Sequence, residues 1–401
     1  MIRRRAVLAT GLAAATAGTL ARPYVARAAA SEIKIGNTMP YSGPASSYGV
    51  IGRTEAAFFK MINDQGGVDG HKINFISLDD SYSPPKTVEN VRRLVEEDHV
   101  DFCFQTLGTP PNSAIAPYLN RKKIPQLFVG SGASKWSDYK KYPWTMGWQP
   151  NYRTEAQIYT KYMLQTVKDL KLGILYQNDD FGKDYPIGVR DILGDKWDKV
   201  VVKNASYETT DATIDSQIAE IQSAGANVLL VAAIPKFAAQ SIDKVYDLNW
   251  KPTFFMTNVA ISVGTVMRPA GPEKSIGMIS TQYLKDPTDP AWKDDEGMKV
   301  WRAFMAKYNP SGDTTDAATT FAYGISLTMM QVLKQCKGDY SRPNVMHQAE
   351  NLHDVTNPIL LPGIKMNTSP TDHRPIKEMQ LQKWDGKTWV RFGGLIEGAN
   401  V

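Results

Sequence analysis

The sequence predicts an α/β protein of two lobes, each an open, mostly parallel sheet flanked by helices. Three observations carry this. The chain has 401 residues, too many for one ordinary core and enough for two domains of about 150–200 residues each. Short apolar runs alternate with longer amphipathic ones, the βαβ rhythm that implies parallel sheets. That rhythm begins at Ile33 and begins again at Arg153.

The first series opens with the strand-like Ile33-Lys34-Ile35-Gly36, a helix over 49–63 and the turn Gly66-Gly67-Val68-Asp69-Gly70. A strand over 72–78, a helix over 84–97, a strand over 100–106, a helix over 112–121 and a strand over 126–129 follow. The second series reads as helices over 153–167, 184–193, 214–224 and 236–248, with strands over 172–176, 199–203, 228–233, 253–256 and 278–281 between them. Two long helices over 297–308 and 317–335 come next. A final hairpin, 379–384 and 388–392, turns at Asp385-Gly386-Lys387.

Residues 1–30 read as an export signal rather than as fold. Arg3, Arg4 and Arg5 precede an uncharged run from Ala6 to Ala21, and Ala28-Ala29-Ala30 offers a cleavage site. The run is too weakly apolar to span a bilayer. Arg4-Arg5-Ala6-Val7-Leu8 fits a twin-arginine pattern loosely, so a soluble periplasmic product is expected. The signal holds five of the 46 Lys and Arg, which leaves 41 against 41 Asp and Glu. A formally neutral mature chain without a basic cluster argues against nucleic acid. Of the two cysteines, Cys103 sits in a strand-like run and Cys336 ends a helical one. A bridge and two buried thiols both remain open, with buried thiols favoured by the apolar surroundings.

In open α/β sheets, ligands bind outside the carboxyl ends of the strands. The loops there, at 38–48, 107–111, 130–134, 178–182, 233–235 and 257–260, are rich in small, hydroxyl and amide residues. That is binding chemistry more than catalysis. No two of the five histidines, at 71, 99, 347, 353 and 373, stand at helical metal-ligand spacing. There is no G-x-S-x-G elbow, and Gly130-Ser131-Gly132-Ala133-Ser134-Lys135 lacks the last glycine of a dinucleotide loop. No enzyme, cofactor or metal is expected.

The run Ile35-Gly36-Asn37-Thr38-Met39-Pro40-Tyr41-Ser42-Gly43-Pro44, then Tyr48-Gly49, Asn63, Gly66-Gly67-Val68, Gly70 and Asp79-Asp80, resembles the branched-chain amino-acid-binding (Leu/Ile/Val-binding-like) family of periplasmic proteins. The similarity runs through Asp180-Phe181-Gly182 to the late hairpin. The resemblance implies a solute-binding component of an ABC importer, with a small-molecule ligand between two lobes, hinge closure and a membrane permease as partner. A monomer that does not insert into the membrane is expected. Crossovers are placed near Pro150, Thr281 and Leu361, so that one lobe holds 31–150 and 282–361 and the other 151–281 and 362–401.

The same resemblance implies the ligand contacts. Tyr48 matches a pocket aromatic, beside a loop glycine where core packing is poor. Thr109, with Gly108 before it, matches a hydroxyl that holds a ligand carboxylate together with backbone N–H groups near Gly130, Ser131 and Gly132. From the second lobe come Phe181, Ile234 and Asn258, and here the chain departs from the family. Phe181 lacks the aromatic hydroxyl of the amino-acid binders, Ile234 replaces a polar aromatic, and Asn258 replaces the acid that pairs with the ligand ammonium. Without that anion a buried ammonium is costly, so the expected ligand is an aromatic acid first and an aliphatic acid next. The alternatives are a branched-chain amino acid or amide, or a sensor that feeds a signalling protein. Trp136, Trp144, Trp148 and Tyr152 are assigned to core or hinge packing.

Overall fold

The computed structural model describes residues 32–398; the export signal expected at 1–30 lies outside them. The first sheet is four parallel strands in the order β2-β1-β3-β4. They are β1 (Ile33–Met39), β2 (Ile73–Asp79), β3 (Phe102–Phe104) and β4 (Gln126–Leu127). β1 lies inside the sheet between β2 and β3, and Ile33, Ile35 and Met39 are buried, as the near-continuous apolar run of a doubly covered parallel strand requires. Helix α1 (Gly49–Asp64) places Phe59 against Phe75 and Phe104 of the sheet and Phe58 against Phe304 and Tyr323. Truncating either ring to Ala costs about 3–5 kcal/mol.

The second sheet has seven strands in the order β11-β10-β9-β8-β7-β5-β6. β5 (Leu172–Gln177), β6 (Val201–Tyr207), β7 (Val228–Ala232), β8 (Thr253–Met256) and β9 (Ile279–Gln282) run parallel. β10 (Glu378–Trp384) and β11 (Trp389–Glu397) form the expected hairpin and add to β9 antiparallel. All five residues of β7, Val-Leu-Leu-Val-Ala, are buried. Helix Arg342–Ala349 went unpredicted because Arg342-Pro343-Asn344 reads as loop chemistry, although Pro suits a first helical turn.

The chain passes from β4 of the first sheet to β5 of the second and leaves the second sheet after β9 at Gln282. It returns to the second sheet late. Met366 pairs with Val355, and His373 Nδ1 donates to the Thr145 carbonyl at 2.9 Å. The chain thus stays on the first lobe to His373 and enters the second sheet at Glu378. Cys103 and Cys336 are buried free thiols, each pushed up to about 12 by burial.

Candidate functional site

Two parallel strands build the first-lobe wall by ending alike. β3 and β4 are each followed by a non-glycine residue in the left-handed region, Gln105 and Phe128, both with φ 53°. The chains bend there, pair once more at Leu107 and Gly130, and exchange Gly108 N–H to Gly130 O at 3.0 Å and Gly130 N–H to Thr106 O at 2.8 Å. Gly108 has φ 100°, and a Cβ there would lie 2.5 Å from the Tyr82 ring, so glycine is required. Helix Thr109–Arg121 starts directly after it, three residues earlier than the sequence suggests. Pro110 and Pro111 remove two of the free first-turn N–H groups that would otherwise face an anion.

The Thr109 hydroxyl is 2.6 Å from that of Ser131. Ser131 Oγ also accepts from Trp136 Nε1 at 2.9 Å and from Ala133 N–H at 3.2 Å. With both lone pairs taken, the Ser131 proton goes to Thr109, and the Thr109 proton is free to donate into the cleft. Of the three amides expected to hold the ligand, at Gly130, Ser131 and Gly132, two are engaged within the loop. Gly130 N–H is bound to Thr106 O and Ser131 N–H to Val129 O, at 2.8 Å each; the loop spends these amides on its own shape. Gly130 lines the cleft, Ser131 stands behind Thr109, and Gly132 packs on the hinge, where a Cβ would lie 2.8 Å from Pro150 O.

The second lobe contributes Phe181, Ile234 and Asn258, all of which line the cleft. Asp179 caps helix Asp180–Leu193 by accepting from the N–H groups of Phe181 and Gly182 at 2.9 and 3.1 Å. The Phe181 ring lies 4.7 Å from that of Tyr152, which opens helix Tyr152–Thr166 and also lines the cleft. Tyr152 is therefore a site residue that sequence reasoning set aside. Trp136 and Trp148 are buried in the core, as expected. Asn258 is fixed through its backbone N–H, which donates to the buried Glu155 at 2.9 Å. Burial pushes the Glu155 carboxyl up, against hydrogen bonds from Thr281 and Tyr159 at 2.6 Å and from Tyr185.

One anion does line the cleft, contrary to the expectation from Asn258: Asp316, on the first lobe. It caps helix Ala317–Gln335 by accepting from Ala318 N–H at 3.0 Å and takes the Ser262 hydroxyl at 2.7 Å. Burial pushes its carboxyl up. An Asp before a long apolar helix is a recognisable cap in sequence, but which way it faces is settled only by the lobe arrangement. Among the described residues, no Lys, Arg or His lines the cleft. Its aromatic walls are Tyr48, Tyr82, Tyr152, Phe181, Tyr283 and Phe321, around about 880 Å³ of space, mouth included.

The lobes touch across this space. Tyr48 Oη donates to Val259 O at 2.9 Å, Ser262 meets Asp316, and Gly264 N–H reaches Thr315 O at 3.2 Å. At the other edge, the Ser134 N–H and hydroxyl hold the Asp184 carboxylate at 2.6 and 2.7 Å, and Lys135 pairs with Asp180 at 2.8 Å.

Two open α/β lobes closed on an aromatic cleft define a ligand-binding protein of the hinged, two-lobed class. The chain belongs to the periplasmic binding protein family, whose model matches residues 32–388. It is 22% identical over 314 residues to a Leu/Ile/Val-binding protein homolog 1 of Brucella abortus, covering 76% of this chain and 78% of that one. Similar solved structures include a branched-chain amino acid ABC transporter protein from Thermus thermophilus with bound valine, at 13% identity, TM-score 0.82 and coverage of 92% and 97%. A fatty acid ABC transporter substrate-binding protein from Thermomonospora curvata matches at 19% identity, TM-score 0.76 and coverage of 92% and 93%. At such identities these two carry the fold.

Proposed function

We propose that this protein is the periplasmic solute-binding component of an ABC importer and that it takes a small organic acid, aromatic before aliphatic, into the interlobe cleft. The observation that carries the reading is the polarity of the cleft: the Thr109 hydroxyl, left free to donate by Ser131, stands in a wall that holds six aromatic rings and no Lys, Arg or His among the described residues. Specific small-molecule sites have this composition, an apolar body with few convergent polar groups. A hydrogen bond to an ionised carboxylate is the stronger kind, and burying the acid's apolar body supplies about 25 cal/mol per Å². That a structural neighbour is described as a fatty acid transporter protein fits an acid ligand in this fold. The closed lobes form the composite surface that a permease reads, and the ligand favours closure by its differential affinity for it.

A second reading has one specific support. Asp316 gives the cleft a carboxylate that could pair with an ammonium, which would admit an amino acid. Against it, Asp316 already accepts from Ser262 and Ala318. Native mass spectrometry of the protein purified from its own periplasm tests the two. An aromatic or aliphatic acid carried through purification supports the proposal; leucine, isoleucine or valine there sinks it.

A further inference from the structure

Gln105 is the most conspicuous polar group at the cleft that has no job. It lines the pocket and is fully buried, yet neither Oε1 nor Nε2 has a hydrogen-bond partner among the described residues. Its backbone is satisfied: the N–H donates to Leu127 O at 3.0 Å, and the carbonyl accepts from Asn37 Nδ2 at 3.0 Å. Only the side chain is left over. A buried amide without partners forfeits its hydration, and such groups in native proteins call for a reason. Gln105 also has φ 53°, a conformation that disfavours any residue with a Cβ and that concentrates at functional sites. Two separate costs thus fall on one residue in the wall of the cleft.

The neighbouring glycine points the same way. A Cβ on Gly130 would lie 2.7 Å from Gln105 Nε2 and 3.1 Å from Oε1. Any side chain at 130 would therefore sit on the amide, so only glycine lets the loop lie against it. Thr109, the free hydroxyl donor, follows Gln105 by four residues on the same strand-to-helix turn.

We infer that Gln105 is a specificity-determining residue that reads the ligand's head group at two points, and that the head group carries a hydrogen-bond donor beside its acid. This rests on the acid reading of the cleft. Nε2 donates to a carboxylate oxygen, alongside the Thr109 hydroxyl. Oε1 can only accept, so a bare carboxylate would leave it unpaired and facing negative charge. A hydroxyl on the carbon next to the carboxylate satisfies it. The ligand class narrows to acids substituted in this way, and acids lacking the donor are rejected because they strand Oε1.

The test uses Gln105→Met, which keeps the length and unbranched shape of the side chain and removes both polar atoms. Without ligand, the variant should melt at least about 2 °C higher than the wild type, because an unsatisfied amide is replaced by an apolar isostere. The probes are mandelate and phenylacetate, which differ only in the hydroxyl beside the carboxylate. The wild type should favour mandelate by ~3–10-fold in Kd, and Gln105→Met should lose that preference. A lower ligand-free Tm in the variant overturns the inference, since it would mean that the amide holds the fold together. Equal binding of the two acids by the wild type, or a preference that survives in the variant, overturns it as well. If neither acid binds, it is the acid reading that fails for these probes, and the ligand-free melting alone decides whether Gln105 is held in reserve.

Discussion

Tyr48 Oη donates to Val259 O across the cleft at 2.9 Å, joining residues 211 positions apart in sequence and on opposite lobes. Tyr48→Phe keeps the ring in the pocket wall and removes this one bond of the closed form. A neutral hydrogen bond contributes about 0.5–1.5 kcal/mol, so ligand affinity should fall by ~2–10-fold with little change in the ligand-free Tm. Isothermal titration of the variant measures it.

Thr109→Val removes the hydroxyl donor that Ser131 leaves free and strands the Ser131 proton. Loss of a hydrogen bond to a charged group costs about 1.5–3 kcal/mol, a weakening of ~10–150-fold for an acid ligand. Equilibrium binding should show the loss, while Tm falls by only a few degrees.

Gly108→Ala places a Cβ 2.5 Å from the Tyr82 ring at φ 100°. Overpacking and backbone strain together should cost roughly 2–4 kcal/mol, read as a lower midpoint in urea with m unchanged.

Asp184 makes closure sensitive to pH. Burial between the lobes pushes its carboxyl up to about 6, against the hydrogen bonds from Ser134 that favour the ionised form. Opening parts it from Ser134 and returns it toward the ordinary value of 3.8. The closed form therefore binds this proton more tightly. Closure gains as pH falls from about 6 toward 4, and that gain is absent at pH 7 and above. Asp184→Asn should remove this part of the pH dependence, as measured by small-angle scattering of the liganded protein across that range; an unchanged profile would contradict it.

Much of the fold was legible because it is written in local periodicity. The all-buried run of β7 and the amphipathic α1 follow from residues within one turn or strand of each other. The cleft was legible as a set of loops, since strand ends fix where they lie, and Tyr48, Thr109, Phe181, Ile234 and Asn258 stand on its wall. What escaped depends on contacts distant in sequence. Asp316 faces Ser262 across 54 positions, Tyr152 meets Phe181 from another helix, and the Gly130 amide is consumed by Thr106. Gln105 escaped for a different reason: its signal is the lack of a partner, which no sequence pattern encodes.

The most direct test of the cleft as an acid site is a thermal-shift screen of the purified protein against aromatic acids, aliphatic acids and amino acids, because a ligand that binds only the folded state raises Tm. The account predicts a shift with aromatic acids, a smaller one with aliphatic acids and none with amino acids that lack an aromatic body. A shift with leucine, isoleucine or valine alone would contradict it and would make Asp316 the partner of an ammonium.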